Sequence, residues 1–159
     1  MVDFLVIGTY NAVSYSNVFP LIKDQEMSLG YNRVGSFIGS QSANAIWFTT
    51  LDIDRPPFLE LTKSYNDEDY KEFDHFKAIN VNRTVDIPCD YYGPLGVPMT
   101  FLEKWNPEQF EILDARDYRK NSDLSEIKYM DVQMLSGGKH RRDVEGKPHY
   151  ARILIRRRK

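Results

Sequence analysis

Hydrophobic residues in this chain gather in short runs divided by Gly, Pro, Asn and Asp, a spacing that favours strands over long helices. Phe4 to Gly8 is unbroken and rich in β-branched residues, and predicts a strand buried on both faces inside a parallel sheet. Ser14 or Ser16 can cap a helix after it. Pro20 fits only in that helix's first turn. Phe19, Leu21 and Ile22 would face the sheet, and the helix would end by Asp24 or Gln25. Met27 to Leu29 is compatible with a short strand before Gly30. Gly35 to Asn44 reads as a loop around Phe37-Ile38. Ala45 to Leu51 predicts a strand with Ile46, Phe48 and Thr50 on one side and Trp47 on the other, stopped by Asp54-Arg55-Pro56-Pro57.

Tyr65 to Phe76 is acidic and aromatic, either one helical turn or an extended surface segment. Ala78 to Asn82 suits a short strand, with Val85-Asp86-Ile87-Pro88 leading away from it. The most distinctive stretch follows. Two glycines and two prolines in Gly93-Pro94-Leu95-Gly96-Val97-Pro98 fix the backbone ahead of Met99 to Leu102. Lys104 to Pro107 then turn the chain, and Phe110 and Ile112 alternate with Gln109 and Glu111, which reads as strand, turn, strand. Asp117 to Ser125 predicts a loop. Ile127 to Leu135 suits a strand ended by Gly137-Gly138. His149 to Arg156 predicts a strand with Tyr150, Arg152 and Leu154 on one side and Ala151, Ile153 and Ile155 on the other. One early strand–helix unit followed by many strands predicts an α/β fold with a mixed, strand-rich sheet.

At 159 residues a single domain, 1–159, with its own core is the natural expectation. No apolar run is long enough for a helical membrane span. Residues 1–8 lack the basic start of a signal peptide. Cys89 is alone, so no internal disulfide can form, and a cytoplasmic protein is the expectation. The charge is lopsided: a basic tail, residues 137–159, holds nine Lys or Arg against two acids, leaving 12 against 21 elsewhere. Such a tail suits nucleic acid or a solvated end equally. Arg156, Arg157, Arg158 and Lys159 are free to fray.

Gly-Val-Pro-Met-Thr-Phe-Leu (96–102) with Asn-Pro-Glu-Gln-Phe-Glu-Ile (106–112) resembles the C-terminal part of the EcoRI-type adenine-specific DNA methyltransferases. Phe4-Leu5-Val6-Ile7-Gly8 with Asn11-Ala12-Val13-Ser14-Tyr15, Phe19 to Asp24, Trp47 to Asp52 and Tyr150 to Arg156 resemble the same family in the same order. The resemblance implies the second half of a Rossmann-like methyltransferase, whose cofactor half would lie upstream of Met1. Its reaction moves a methyl group from S-adenosylmethionine to adenine N6. Thr9 stands where the family's asparagine is usual.

That chemistry needs a glycine-rich turn after a leading strand for the cofactor. It also needs an Asn/Asp-Pro-Pro-aromatic loop to accept the adenine amine and stack on the flipped base. Neither is in the sequence, so the chain alone is expected to be inactive and to bind no S-adenosylmethionine. Arg55-Pro56-Pro57-Phe58 imitates the second motif, but a guanidinium only donates and cannot accept from an amine. His75, His140 and His149 lack metal-ligand spacing, and Asp67, Glu68 and Asp69 read as a solvated run.

By the resemblance, Asn11 and Tyr15 flank the base and cofactor pocket. Otherwise Asn11 makes a turn bond and Tyr15 packs under the helix. Lys139, His140, Arg141 and Arg142 either follow a DNA phosphate backbone, weakly and non-specifically, or form a solvated hairpin tip. The implied partners are DNA, a separate cofactor-binding segment and, because Phe4–Gly8 lacks its family neighbour, further copies of the chain in a homo-oligomer. The other function class open to the sequence is a non-catalytic DNA-binding module or a decayed remnant of such an enzyme.

Overall fold

Two sheets organise the chain, and they belong to two units: residues 1–57 with 102–105, and residues 58–101 with 106–159. The structure is a computed structural model that describes residues 2–30, 44–120, 134–135, 144–145 and 151–159. The fold is mixed α/β and strand-rich, as the pattern predicts. The loop expected over Gly35 to Asn44, apart from Asn44, lies outside the described residues, as does most of the strand expected over Ile127 to Leu135.

The first unit holds β1 (Leu5–Thr9), α1 (Phe19–Lys23), β2 (Ser28–Leu29) and β3 (Ala45–Thr49), with sheet order β1-β3-β2. Both outer strands run antiparallel to β3. Strand β3 is central, with Ala45, Ile46, Phe48 and Thr49 all buried. The interior, parallel position expected for β1 is not the one it takes. Among the described residues it lies at the sheet edge, and Leu5, Val6 and Ile7 are 54%, 49% and 40% exposed. An unbroken apolar run shows only that cover would be favourable; whether a neighbour supplies it depends on other segments.

Helix α1 starts where Pro20 requires, with Pro20 in its first turn, but neither Ser14 nor Ser16 caps it. A 3-10 turn over Tyr10–Ser14 intervenes, and Ser14 Oγ donates to the Asn11 carbonyl at 2.8 Å. The Tyr15 carbonyl then accepts from Val18 N–H at 3.0 Å and Phe19 N–H at 2.9 Å, so the chain turns once more before the helix. Phe19 and Ile22 are buried, and Leu21 half-buried.

The second unit holds β4 (Ile79–Asn80), β5 (Leu95–Pro98), β6 (Phe110–Ile112), β7 (Met134–Leu135) and β8 (Arg152–Arg157). The order is β4-β5-β8-β6, with β7 also on β8. Strand β8 pairs antiparallel with β5, β6 and β7, while β4 runs parallel to β5. The strand–turn–strand predicted over Leu95 to Ile112 is present, but β8 lies between its two strands.

Register settles the two faces. Leu95 opposes Ile155 and Val97 opposes Ile153, so these four fully buried side chains share one face. Gly96 opposes Leu154 on the other. There Leu154 packs with Phe73, Phe76, Ala78, Leu113, Ala115 and Val144. The Phe73 ring occupies the space above Gly96: a Cβ at that position would lie 2.3 Å from Phe73 Cε2. Gly96→Ala therefore forces an over-packed core, and we expect it to lower stability by about 1–3 kcal/mol. Urea unfolding measures this, and an unchanged midpoint would show that Phe73 moves aside freely.

Candidate functional site

The carboxyl end of β1 is where the sequence placed Asn11 and Tyr15. Thr9 caps the 3-10 turn there, its Oγ1 accepting from Asn11 N–H at 3.4 Å. Tyr10 and Val13 are buried and hold the turn down. Asn11 is exposed, and its Oδ1 accepts from Asn44 Nδ2 at 3.3 Å, while the Asn44 carbonyl accepts from Tyr10 N–H at 2.8 Å. Asn44 thus ties the start of β3 to the turn after β1. Sequence reading marked it only as the end of a loop; its position directly before a strand was the available signal. Tyr15 is 52% exposed, so it does not pack under the helix. Asn11 makes the turn bonds, and both side chains reach solvent on the same short stretch.

Arg55 and Pro56 lie at the other end of the same sheet. Antiparallel pairing puts Thr9 beside Ala45 and Leu5 beside Thr49, so the segment leaving β3 starts beside the amino end of β1. Arg55-Pro56-Pro57-Phe58 is irregular chain, and its first two residues line a small pocket of about 40 Å3 with Ile22, Met27, Leu29 and Trp105. The topology keeps this imitation of a catalytic loop away from Asn11.

In the second unit the described arginines at the end of the chain have structural partners. Arg152 is 4% exposed. Its Nε donates to Asn80 Oδ1 at 3.1 Å and its Nη2 to Asn82 Oδ1 at 3.2 Å. A charged residue inside an apolar strand was the signal for this cluster, which sequence reading did not assemble. Arg156 pairs across the ladder with Glu111 at 2.6 Å, and that carboxylate raises the guanidinium's pKa. Arg157 donates to the Cys89 carbonyl and lies 5.3 Å over the Tyr92 ring. Arg158 donates to the Pro107 carbonyl at 2.7 Å. These arginines are not fraying, because strand pairing and carbonyl acceptors hold them. Lys139, His140, Arg141 and Arg142 lie outside the described residues.

Tyr65 to Phe76 begins with the one helical turn: Tyr70 N–H donates to the Asn66 carbonyl at 3.2 Å, and Asn66 Oδ1 accepts from Glu68 and Asp69 N–H at 3.1 and 2.8 Å. The chain beyond it is irregular and, with Tyr70, Phe73 and Phe76 buried, is not a surface segment. Tyr65 stacks on Tyr91 with centroids 4.7 Å apart. Its hydroxyl donates to Asp67 at 2.6 Å, and that bond to a carboxylate pushes its pKa up to about 12. Among the described residues no cluster of His, Cys, Asp or Glu could hold a metal ion. No helix among them is long and apolar enough to cross a membrane.

The described residues do not fit S-adenosylmethionine. The cofactor needs a strand-ending turn whose bare glycines let the backbone approach it. Here Gly30, directly after β2, would set an added Cβ 3.0 Å from Trp47 Cβ. Gly8, near the end of β1, is covered by the Phe48 ring, 2.9 Å from an added Cβ, and Gly96 is covered by Phe73. Side chains of the chain itself fill all three spaces.

The chain belongs to the family of the adenine-specific methyltransferase EcoRI, whose match covers residues 35–158. It is 36% identical to the type II methyltransferase M.EcoRI of Escherichia coli, over 96% of this chain and 49% of that protein. It is 32% identical to the type II methyltransferase M.MpnI of Mycoplasma pneumoniae, over 98% of this chain and 57% of that protein. M.MgeORF184P of Mycoplasma genitalium, also a type II methyltransferase, is 33% identical over the same shares. The chain spans about half the length of these curated relatives. No solved structure matches it.

Asp86 supplies a pH test of the second unit. Arg83 donates to it at 2.7 and 3.0 Å and Lys63 lies 2.6 Å away, and these bonds hold its carboxyl below the usual range. Its contribution to stability is present above the unfolded value of about 3.9 and is lost as pH falls through the lower folded value. We expect Asp86→Asn to lower the melting temperature at neutral pH. The gap from the unmodified protein should close as pH falls below about 4. A gap independent of pH would assign the loss to packing.

Proposed function

We propose that the chain is the C-terminal portion of an S-adenosylmethionine-dependent DNA adenine-N6 methyltransferase of the restriction–modification type. The observation that carries this reading is family membership over residues 35–158. In the assembled enzyme a cofactor-binding segment contributes the glycine-rich turn and the Asn-Pro-Pro-aromatic loop. This chain adds part of the sheet, and Asn11 and Tyr15 form one wall of the pocket that receives the flipped adenine. Lys139, His140, Arg141 and Arg142 contact phosphates, which positions DNA without reading its sequence. The protein acts in the cytoplasm.

Alone, the chain transfers no methyl group and binds no S-adenosylmethionine. Support comes from its own residues: neither required motif occurs in the sequence, and the glycines at Gly8 and Gly96 are filled. A methylation assay on duplex DNA with the 159-residue protein should stay at background, and calorimetry with S-adenosylmethionine should give no saturable heat. Transfer above background refutes inactivity. Adding a polypeptide that carries the two missing motifs should restore transfer, and Asn11→Ala should then reduce it.

The same missing motifs favour a second reading, a non-catalytic DNA-binding module or remnant. DNA affinity tests the feature common to both. Binding should be weak and steeply salt-dependent, and replacing Lys139, Arg141 and Arg142 with Ala should reduce the log–log salt slope by as much as about 3. An unchanged slope makes the loop a solvated hairpin tip.

A further inference from the structure

Asn11 has one polar group left to offer. Its N–H donates to Thr9 Oγ1 at 3.4 Å, and its carbonyl accepts from Ser14 Oγ at 2.8 Å. Its Oδ1 accepts from Asn44 Nδ2 at 3.3 Å. Nothing among the described residues accepts from Asn11 Nδ2, and the side chain is exposed. A primary amide donates at one end and accepts at the other, and a half-turn about the last side-chain bond exchanges the two. Asn44 sets that choice: a donor aimed at Asn11 turns the oxygen inward and the NH2 group outward. Asn44 is itself fixed. Its carbonyl accepts from the N–H of buried Tyr10 at 2.8 Å, and the next residue, Ala45, is buried and pairs with Thr9 as β3 opens.

We propose that Asn44 is a positioning residue for adenine recognition, holding Asn11 so that its amide presents N–H to a ring nitrogen of the flipped base. This rests on the methyltransferase reading and adds the polarity of the contact. The chemistry of the base decides which end of the amide is useful. Once N9 is joined to the sugar, the exocyclic amine carries adenine's only hydrogen-bond donors, and the Asn-Pro-Pro-aromatic loop takes them. The remaining polar atoms, N1, N3 and N7, only accept. An outward Oδ1 would set lone pairs against lone pairs, whereas an outward Nδ2 supplies the donor that these nitrogens need. Asn44 does not touch the base. It acts through Asn11, by keeping the Oδ1 of that side chain occupied.

Asn44→Asp tests that polarity. A carboxylate has no proton to give, so Asn11 should turn over, donate to it and point Oδ1 outward. The tie between the turn and β3 is kept while the donor leaves the pocket. In the 159-residue protein, NMR should show the Asn11 side-chain amide protons solvent-like, and moved downfield in the Asn44→Asp variant. Asn11 amide protons already bonded in the unmodified protein overturn the proposal. Once the polypeptide that carries the two missing motifs is added, Asn44→Asp should lower kcat for methyl transfer about tenfold, the worth of one lost hydrogen bond, with KM for S-adenosylmethionine unchanged. DNA carrying C–H in place of N1, N3 or N7 at the target adenine identifies the acceptor. One of these analogues should slow the unmodified enzyme about tenfold and add no further loss to Asn11→Ala or Asn44→Asp. Full activity of Asn44→Asp, or equal losses from every analogue in all three proteins, overturns the proposal and leaves the methyltransferase reading standing. An assembly that is inactive with the unmodified chain removes that reading, and the proposal with it.

Discussion

Strand β8 lends its backbone to three others, with β5 along one edge and β6 and β7 end to end along the other. Buried N–H and C=O groups must find partners, and for β5 and β6 those partners lie at the far end of the chain. Arg152 to Ile155 are buried, which is what a central strand requires. The sheet cannot close until these last residues arrive, so its contacts are non-local. Gly96 and Phe73 depend on the same arrangement, since Leu154 sets the face on which they meet.

The position of β8 also decides the role of its charges. A run of arginines at a chain end can be a loose arm for an anionic partner. Here Arg152 is packed against two asparagines, Arg156 faces Glu111, and Arg157 and Arg158 bond to carbonyls. Each is bonded to a fixed acceptor of the fold, which makes it part of the sheet's scaffolding. The lopsided charge therefore has two sources, structural arginines in β8 and the Lys139–Arg142 segment to which the DNA reading is confined.

In the smaller sheet, β3 separates two chemically different ends. At one, Thr9, Asn11 and Asn44 join the turn after β1 to the start of β3 and leave Asn11 and Tyr15 at the surface. At the other, Arg55 and Pro56 line a small pocket. Antiparallel pairing of β1 with β3 enforces this division, because it sends the chain leaving β3 away from Asn11. The open edge of β1 runs between the two ends.

Local pattern alone determined where strands begin: the apolar run at Leu5, the alternation at Phe110 and Ile112, and the two faces of Arg152 to Ile155 follow from a side-chain period of two. The placement of Pro20 follows from an equally local limit. Motif strings longer than any single strand carried the family. Tertiary structure decided what no local pattern encodes, namely which strand neighbours which. It put β1 at an edge, slid β8 between β5 and β6, and joined Asn44 to Asn11. The physical reason is that hydrophobic period records burial, while backbone hydrogen bonds are chemically alike at every residue. Neighbour choice therefore rests on side chains far apart in sequence, such as Phe73 finding Gly96 or Arg152 finding Asn80.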